Sequence, residues 1–226
     1  MLCGIIFYSM HACMGAFHGL KIVDGAIRDP NRALDICWTQ INGELQDLKK
    51  HISQNTSDRS RAILELSPES RNYAIGKVSE LFGKLKWTSV NDSDVGRVGA
   101  SKILFAVLPE IALPVDNAEW DYVFRTDNYS RVLSTMIDEI NEWEAKSQTP
   151  FESLDSPPTT IPSIYNVWRW LRDRKNRNLP LIPITQEKIL FLNNLRSCTH
   201  IFTLMQFPPN LRISSARSYA GFFQNE

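Results

Sequence analysis

At 226 residues the chain has room for one large domain, or for a domain with an appendage, and for a substantial core. Its 43% hydrophobic and 22% charged residues lie near the average for folded proteins and exclude a disordered or fibrous composition. The 25 basic and 25 acidic residues cancel, which excludes a surface that binds polyanions throughout and confines any nucleic-acid site to a local patch.

Residues 1–28 are expected to form an N-terminal extension or a short buried element. The first charged residue is Lys21, and Leu2, Ile5, Ile6, Phe7 and Tyr8 make an apolar start with strand character. A secretory signal is the minor alternative, because no basic residue precedes this run. Ser9, His11, Gly15, His18 and Gly19 interrupt it well short of the ~20 apolar residues a spanning helix needs. No membrane segment is expected.

Residues 29–146 read as a helical core domain. Asp29 and Pro30 are a cap and a first-turn proline, and Leu34, Trp38, Ile41, Leu45, Leu48 and Ile52 follow at spacings alternating between four and three. That is the seam of a helix pair, so this helix is expected to lie along another helix or along a protein partner. Ser67 and Pro68 repeat the start signal for a second helix, with Ala74, Ile75, Val78, Leu81, Phe82 and Leu85 on one face as far as Trp87. Thr88 to Asp94 has turn composition, and Ile103, Leu104, Val107 and Leu108 mark a short buried helix before Pro109.

Asp116 followed by Glu119 is a capping-box start for a helix carrying Trp120, Val123 and Phe124. A wide stripe of Val132, Leu133, Met136, Ile137, Ile140 and Trp143 defines the next helix, and its Asp138, Glu139, Glu142 and Glu144 read as a solvated surface.

Residues 147–162, with four of the twelve prolines, read as a linker or long loop. Residues 163–226 are expected to pack on the core as a C-terminal helical segment. One helix there holds Ile164, Val167, Trp168 and Leu171, and another begins at Thr185 and includes Leu195, Phe202 and Met205; Leu179 to Ile184 has strand character. The expected fold is therefore mainly α, an irregular multi-helix bundle with few or no strands.

The four cysteines, Cys3, Cys13, Cys37 and Cys198, form no Cys-x-x-Cys pair and lack histidines at ligand spacing. Neither a metal site nor a disulfide framework is expected, and Cys37, inside a helical apolar pattern, fits a cytoplasmic protein. His11 and His18 share a helical spacing but have no third ligand. Phosphate-loop, nucleophile-elbow, metalloprotease and dinucleotide signatures are absent, so no cofactor is implied.

The segment most informative about chemistry is Val95-Gly96-Arg97-Val98-Gly99-Ala100-Ser101-Lys102-Ile103-Leu104, followed by Leu113-Pro114-Val115-Asp116 and Trp120. It resembles the helix-hairpin-helix DNA glycosylase block over about residues 95–125, and a looser Ser-Lys-x-Leu, Pro, Pro-x-Asp pattern of uncharacterised bacterial proteins. The resemblance implies a nucleic-acid-associated protein with Gly96, Arg97 and Gly99 at a phosphate-holding hairpin, Lys102 as nucleophile and Asp116 as catalytic carboxylate.

From the residues alone, Asp116 at a helix start is equally a plain cap, and Lys102 equally a surface lysine with its stem on the helix. Trp168 to Arg177 adds a basic run, Arg169, Arg172, Arg174, Lys175 and Arg177, suited to phosphates or to complementing a helix C-terminus. The alternative to a nucleic-acid role is a non-enzymatic helical interaction module acting through the Leu34 to Ile52 helix.

Overall fold

The computed structural model describes residues 21–23, 26–28, 32–154 and 159–176, with backbone alone at 21–23, 26–28, 170, 171 and 173–176. The described chain is mainly helical, as periodicity predicts. A short antiparallel hairpin, β1 (Lys21–Val23) with β2 (Ala26–Arg28), leads to α1 (Ala33–Asn55). A 3-10 turn (Arg59–Arg61) and the one-turn α2 (Ala62–Glu65) connect to α3 (Pro68–Lys86). A second hairpin, β3 (Ser89–Val90) with β4 (Ser93–Asp94), precedes α4 (Gly96–Val107). A π-helical turn (Glu119–Phe124), α5 (Tyr129–Ser147), a 3-10 turn (Phe151–Leu154) and α6 (Ile161–Asn176) complete it. No helix among the described residues is long and apolar enough to cross a membrane.

Helix α3 is the hub, packing on α1, α4 and α5. Its start follows from sequence: Pro68 occupies the first position, and Ser67 Oγ accepts from the Ser70 amide at 3.2 Å. Its buried face is the predicted one, Ala74, Ile75, Val78, Leu81, Phe82 and Leu85. Helix α1 buries Ala33, Cys37, Ile41, Leu45, Leu48 and Ile52 against it, so most of the seam is satisfied within the chain while Leu34 and Trp38 stay partly buried.

The first residues of this seam correct one expectation. Helix α1 begins at Ala33, after Arg32 in the left-handed conformation (φ 53°) with no side-chain cap; Asp29 and Pro30 lie outside the described residues.

Two further details depart from the helical reading. Asn91 and Asp92 both have positive φ, 53° and 59°, the pair a two-residue type I′ hairpin demands, so the polar break is a tight β-turn flanked by two-residue strands. The helix expected from Asp116 is a π-helical turn over Glu119–Phe124, ended by Arg125 at φ 51°.

Between α4 and that turn, the chain from Leu108 to Val115 runs through the interior without regular structure, every residue buried. Its backbone polar groups need partners there. Tyr129 supplies one set: its hydroxyl accepts from Leu113 N at 2.9 Å and donates to Leu113 O at 2.7 Å. Ser101 supplies another, its Oγ accepting from Val115 N at 3.1 Å. Burial pushes the Tyr129 phenol well above its ordinary range, only partly offset by the bond to Leu113, so it stays a neutral donor.

The buried cluster continues through Phe151, Ile161, Ile164 and Tyr165. Phe151, within the stretch expected to be a linker, is fully buried between Trp143 (5.3 Å) and Trp168 (5.6 Å), both edge-on. Residues 155–158 of that stretch lie outside the described residues, as do the elements expected within 1–20 and 177–226.

Candidate functional site

The glycosylase-like block folds as follows. Gly96 opens α4 at φ 69°, a conformation that favours glycine, directly after the β3–β4 hairpin. Gly99 is the fourth residue of α4 and buried, so helix geometry directs its amide back to the Val95 carbonyl rather than outward. Asp116 is exposed and engaged in a reciprocal capping box: its Oδ1 accepts from Glu119 N at 2.9 Å, while Glu119 Oε2 accepts from Asp116 N at 2.8 Å. Lys102 is half-buried on α4.

Arg97 is held by carboxylates, Asp121 at 2.6 Å and Asp127 at 3.1 Å, and lies over the Trp120 ring at 6.0 Å. The Arg97 charge is thus already met by two carboxylates of the same chain.

The basic run is also engaged. Arg169 and Arg172 both meet Glu139 Oε1 of α5, at 2.8 and 2.9 Å, while Tyr165 donates to Oε2 at 2.8 Å and Arg172 stacks on Trp168 at 4.6 Å. Glu139, expected on a solvated surface, is therefore the anchor that fastens α6 to α5. Glu144 is a second correction: with Glu152 it holds Arg61, and its Oε1 accepts from the Phe151 amide at 2.7 Å. Burial works against the Arg61 cation, but the two carboxylates outweigh it and raise its pKa. Arg174 and Lys175 lie on α6, described there by backbone alone, and Arg177 lies outside the described residues.

A different site emerges beside the C-terminal half of α1. An open cleft of about 640 Å³ lies among Gln46, Lys49, Lys50, Ile52, Ser53, Thr56, Ser57, Arg59 and Glu110. Its volume falls in the range of small-molecule sites, roughly 300–1,000 Å³. Its deepest polar group is Glu110, in the Leu108–Ala112 turn and 2% exposed. Glu110 Oε1 accepts both Arg59 Nε at 3.2 Å and Arg59 Nη2 at 3.0 Å, whereas its buried Oε2 has no hydrogen-bond partner.

Lys49 faces the same charges. Burial depresses its pKa, Arg59 adds to the depression, and attraction to Glu110 opposes both. An incompletely partnered buried carboxylate beside a depressed lysine marks a functional candidate by its electrostatics.

Sequence periodicity missed this site because its parts come from three segments. One signal was present: Glu110 is the lone polar residue in the run from Ile103 to Val115. No protein-family model matches this chain, and no curated protein or solved structure is significantly similar to it.

Proposed function

We propose that this chain is a non-enzymatic helical binding protein whose ligand occupies the cleft between the C-terminal half of α1 and the Leu108–Ala112 turn. The observation that carries this reading is the half-satisfied carboxylate of Glu110, its buried Oε2 without a hydrogen-bond partner, in the wall of a cleft that also holds Lys49, Lys50 and Arg59. An unmet buried acceptor costs about 1–3 kcal/mol, a cost that a hydrogen-bonding ligand removes. Cys37, a buried free thiol, fits a cytoplasmic setting.

The nucleic-acid role implied by the glycosylase-like block finds less support, because Arg97, Arg169 and Arg172 spend their charge on carboxylates. A protein partner along Leu34 to Ile52 is also less favoured, since Ile41, Leu45, Leu48 and Ile52 are already buried.

The test is amide-resolved NMR of the full chain against a mixed panel of small anions, polyols and amines, beside an abasic duplex. Ligand-dependent shifts confined to residues 46–59 and 108–112 are expected. Strand cleavage of the duplex that disappears in Asp116→Asn and Lys102→Ala would overturn the reading in favour of base excision.

A further inference from the structure

Lys49 stands four residues after Leu45 and three before Ile52, both buried, so its stem runs along the edge of the stripe that α1 presents to the core. The side chain is half-buried in the wall of the cleft. Its ammonium is open to solvent there, and among the described residues it has neither a hydrogen-bond nor an ion-pair partner.

Other lysines are placed differently. Lys77 meets Glu80 at 2.6 Å, Lys84 meets Glu44, Lys146 meets Glu142, and Lys86 lies over the Trp87 ring at 5.0 Å. A carboxylate in contact holds the proton on an ammonium, and a protonated amine has no lone pair with which to attack. Lys50, next along α1, is exposed to water. At Lys49, burial of the stem and the neighbouring Arg59 cation both favour the neutral amine, and attraction to Glu110 offsets them only in part.

What such an amine takes is set by the charge that Glu110 favours. Carbon dioxide would turn it into a carbamate, an anion near a buried carboxylate, and acylation would remove the charge altogether. Condensation with an aldehyde gives an imine, which accepts a proton and restores a cation within reach of Glu110.

Building on the cleft as binding site, we infer that Lys49 captures a small aldehyde there as a reversible imine. The Nζ lone pair adds to the carbonyl carbon, the carbonyl oxygen gains a proton and the nitrogen loses one, giving a carbinolamine. Loss of that hydroxyl as water forms the C=N bond. No oxidant or reductant takes part, and addition of water reverses the sequence.

The test exposes the folded full-length chain to limiting propanal with cyanoborohydride, whose hydride fixes any imine as a secondary amine, and locates the adducts by peptide fragmentation in a mass spectrometer. Lys49 is expected to carry several-fold more adduct than Lys50, Lys77 or Lys102. In concentrated urea, where the cleft is gone, the four are expected to react alike. Lys49→Arg, which keeps the charge, is expected to remove the fast-labelled site and leave the other lysines as they were. Amide shifts with the panel of anions, polyols and amines are read in parallel.

Lys49 labelled no faster than Lys50 in the folded chain overturns the inference; if the panel still shifts residues 46–59 and 108–112, the cleft stands as a binding site without a covalent step. A preference for Lys49 that persists in urea also overturns it, since the reactivity then belongs to the local sequence. Slow labelling of Lys49 together with a cleft silent to the panel removes both the capture site and the binding site.

Discussion

Two glutamates, Glu139 and Glu110, enter the packed interior from different elements and meet different fates. Glu139 has a partner on each oxygen: Tyr165 on one, Arg169 and Arg172 on the other. Glu110, more deeply buried, has one arginine on one oxygen, and that arginine is mostly in water. Complete pairing makes Glu139 a fastener between α5 and α6. Incomplete pairing in the wall of an open cleft makes Glu110 the better candidate for recognition, since a group retained for packing alone gains nothing from an orphan oxygen.

The largest expected effect breaks the first member of the pair. Glu139→Ala leaves Arg169, 15% exposed, without its counter-charge, and loss of one partner of a buried pair costs about 3–5 kcal/mol. The low end applies here, because the Arg172 side chain is 38% exposed and can turn to water. Urea unfolding of the variant measures this; a loss under 1 kcal/mol would show that α6 does not depend on the anchor. Tyr129→Phe comes next. It strands the Leu113 amide and carbonyl in the core, at about 1–3 kcal/mol for a group left unsatisfied.

Proton linkage separates the same two regions by sign. Burial raises the folded-state pKa of Tyr129, and burial together with the Glu139 charge raises that of Tyr165. Unfolded tyrosine ionises near pH 10, so the stabilising contribution of each is present below that pH and is lost as pH rises past it. Lys49 runs the other way: its depressed pKa means that the folded state gives up the proton first. Its contribution is thus unfavourable at neutral pH and is relieved as pH climbs toward the unfolded value of 10.5. Urea midpoints followed from pH 8 to 11 should fall less in Tyr129→Phe than in the parent. In Lys49→Met the fall should be steeper, because the compensating rise is gone.

What the sequence made legible was local. The faces of α1, α3 and α5 repeat every three or four residues, and the Ser67 and Asp116 caps lie three residues from the amides they accept. Glu139, by contrast, is 26 positions from Tyr165 and 33 from Arg172, and Glu110 is 51 from Arg59. No periodic pattern carries such pairings, so acidic residues of α5 looked solvated and the arginines of α6 looked free for phosphate. The β3–β4 turn was visible as a turn but not as a hairpin, because two-residue strands are too short to show alternation.

Asp116→Ala removes one side of the capping box and is expected to cost about 1 kcal/mol, while Asp116→Asn, which keeps an acceptor, should cost less. Equal losses would mean that the carboxylate charge matters beyond the cap.

The smallest effect sharpens the comparison most. Replacing Glu110 by Gln removes a buried charge whose hydrogen-bonded cation, Arg59, remains solvated and whose other cationic neighbour, Lys49, is only half-buried. No new buried ion is created, and stability is expected to change by under about 1 kcal/mol. A glutamate that is deeper than Glu139 and yet cheaper to neutralise is one whose charge the fold does not need. If chemical denaturation instead shows a loss comparable to that of Glu139→Ala, Glu110 is a fastener too, and the cleft around it is no more than the space beside a structural ion pair.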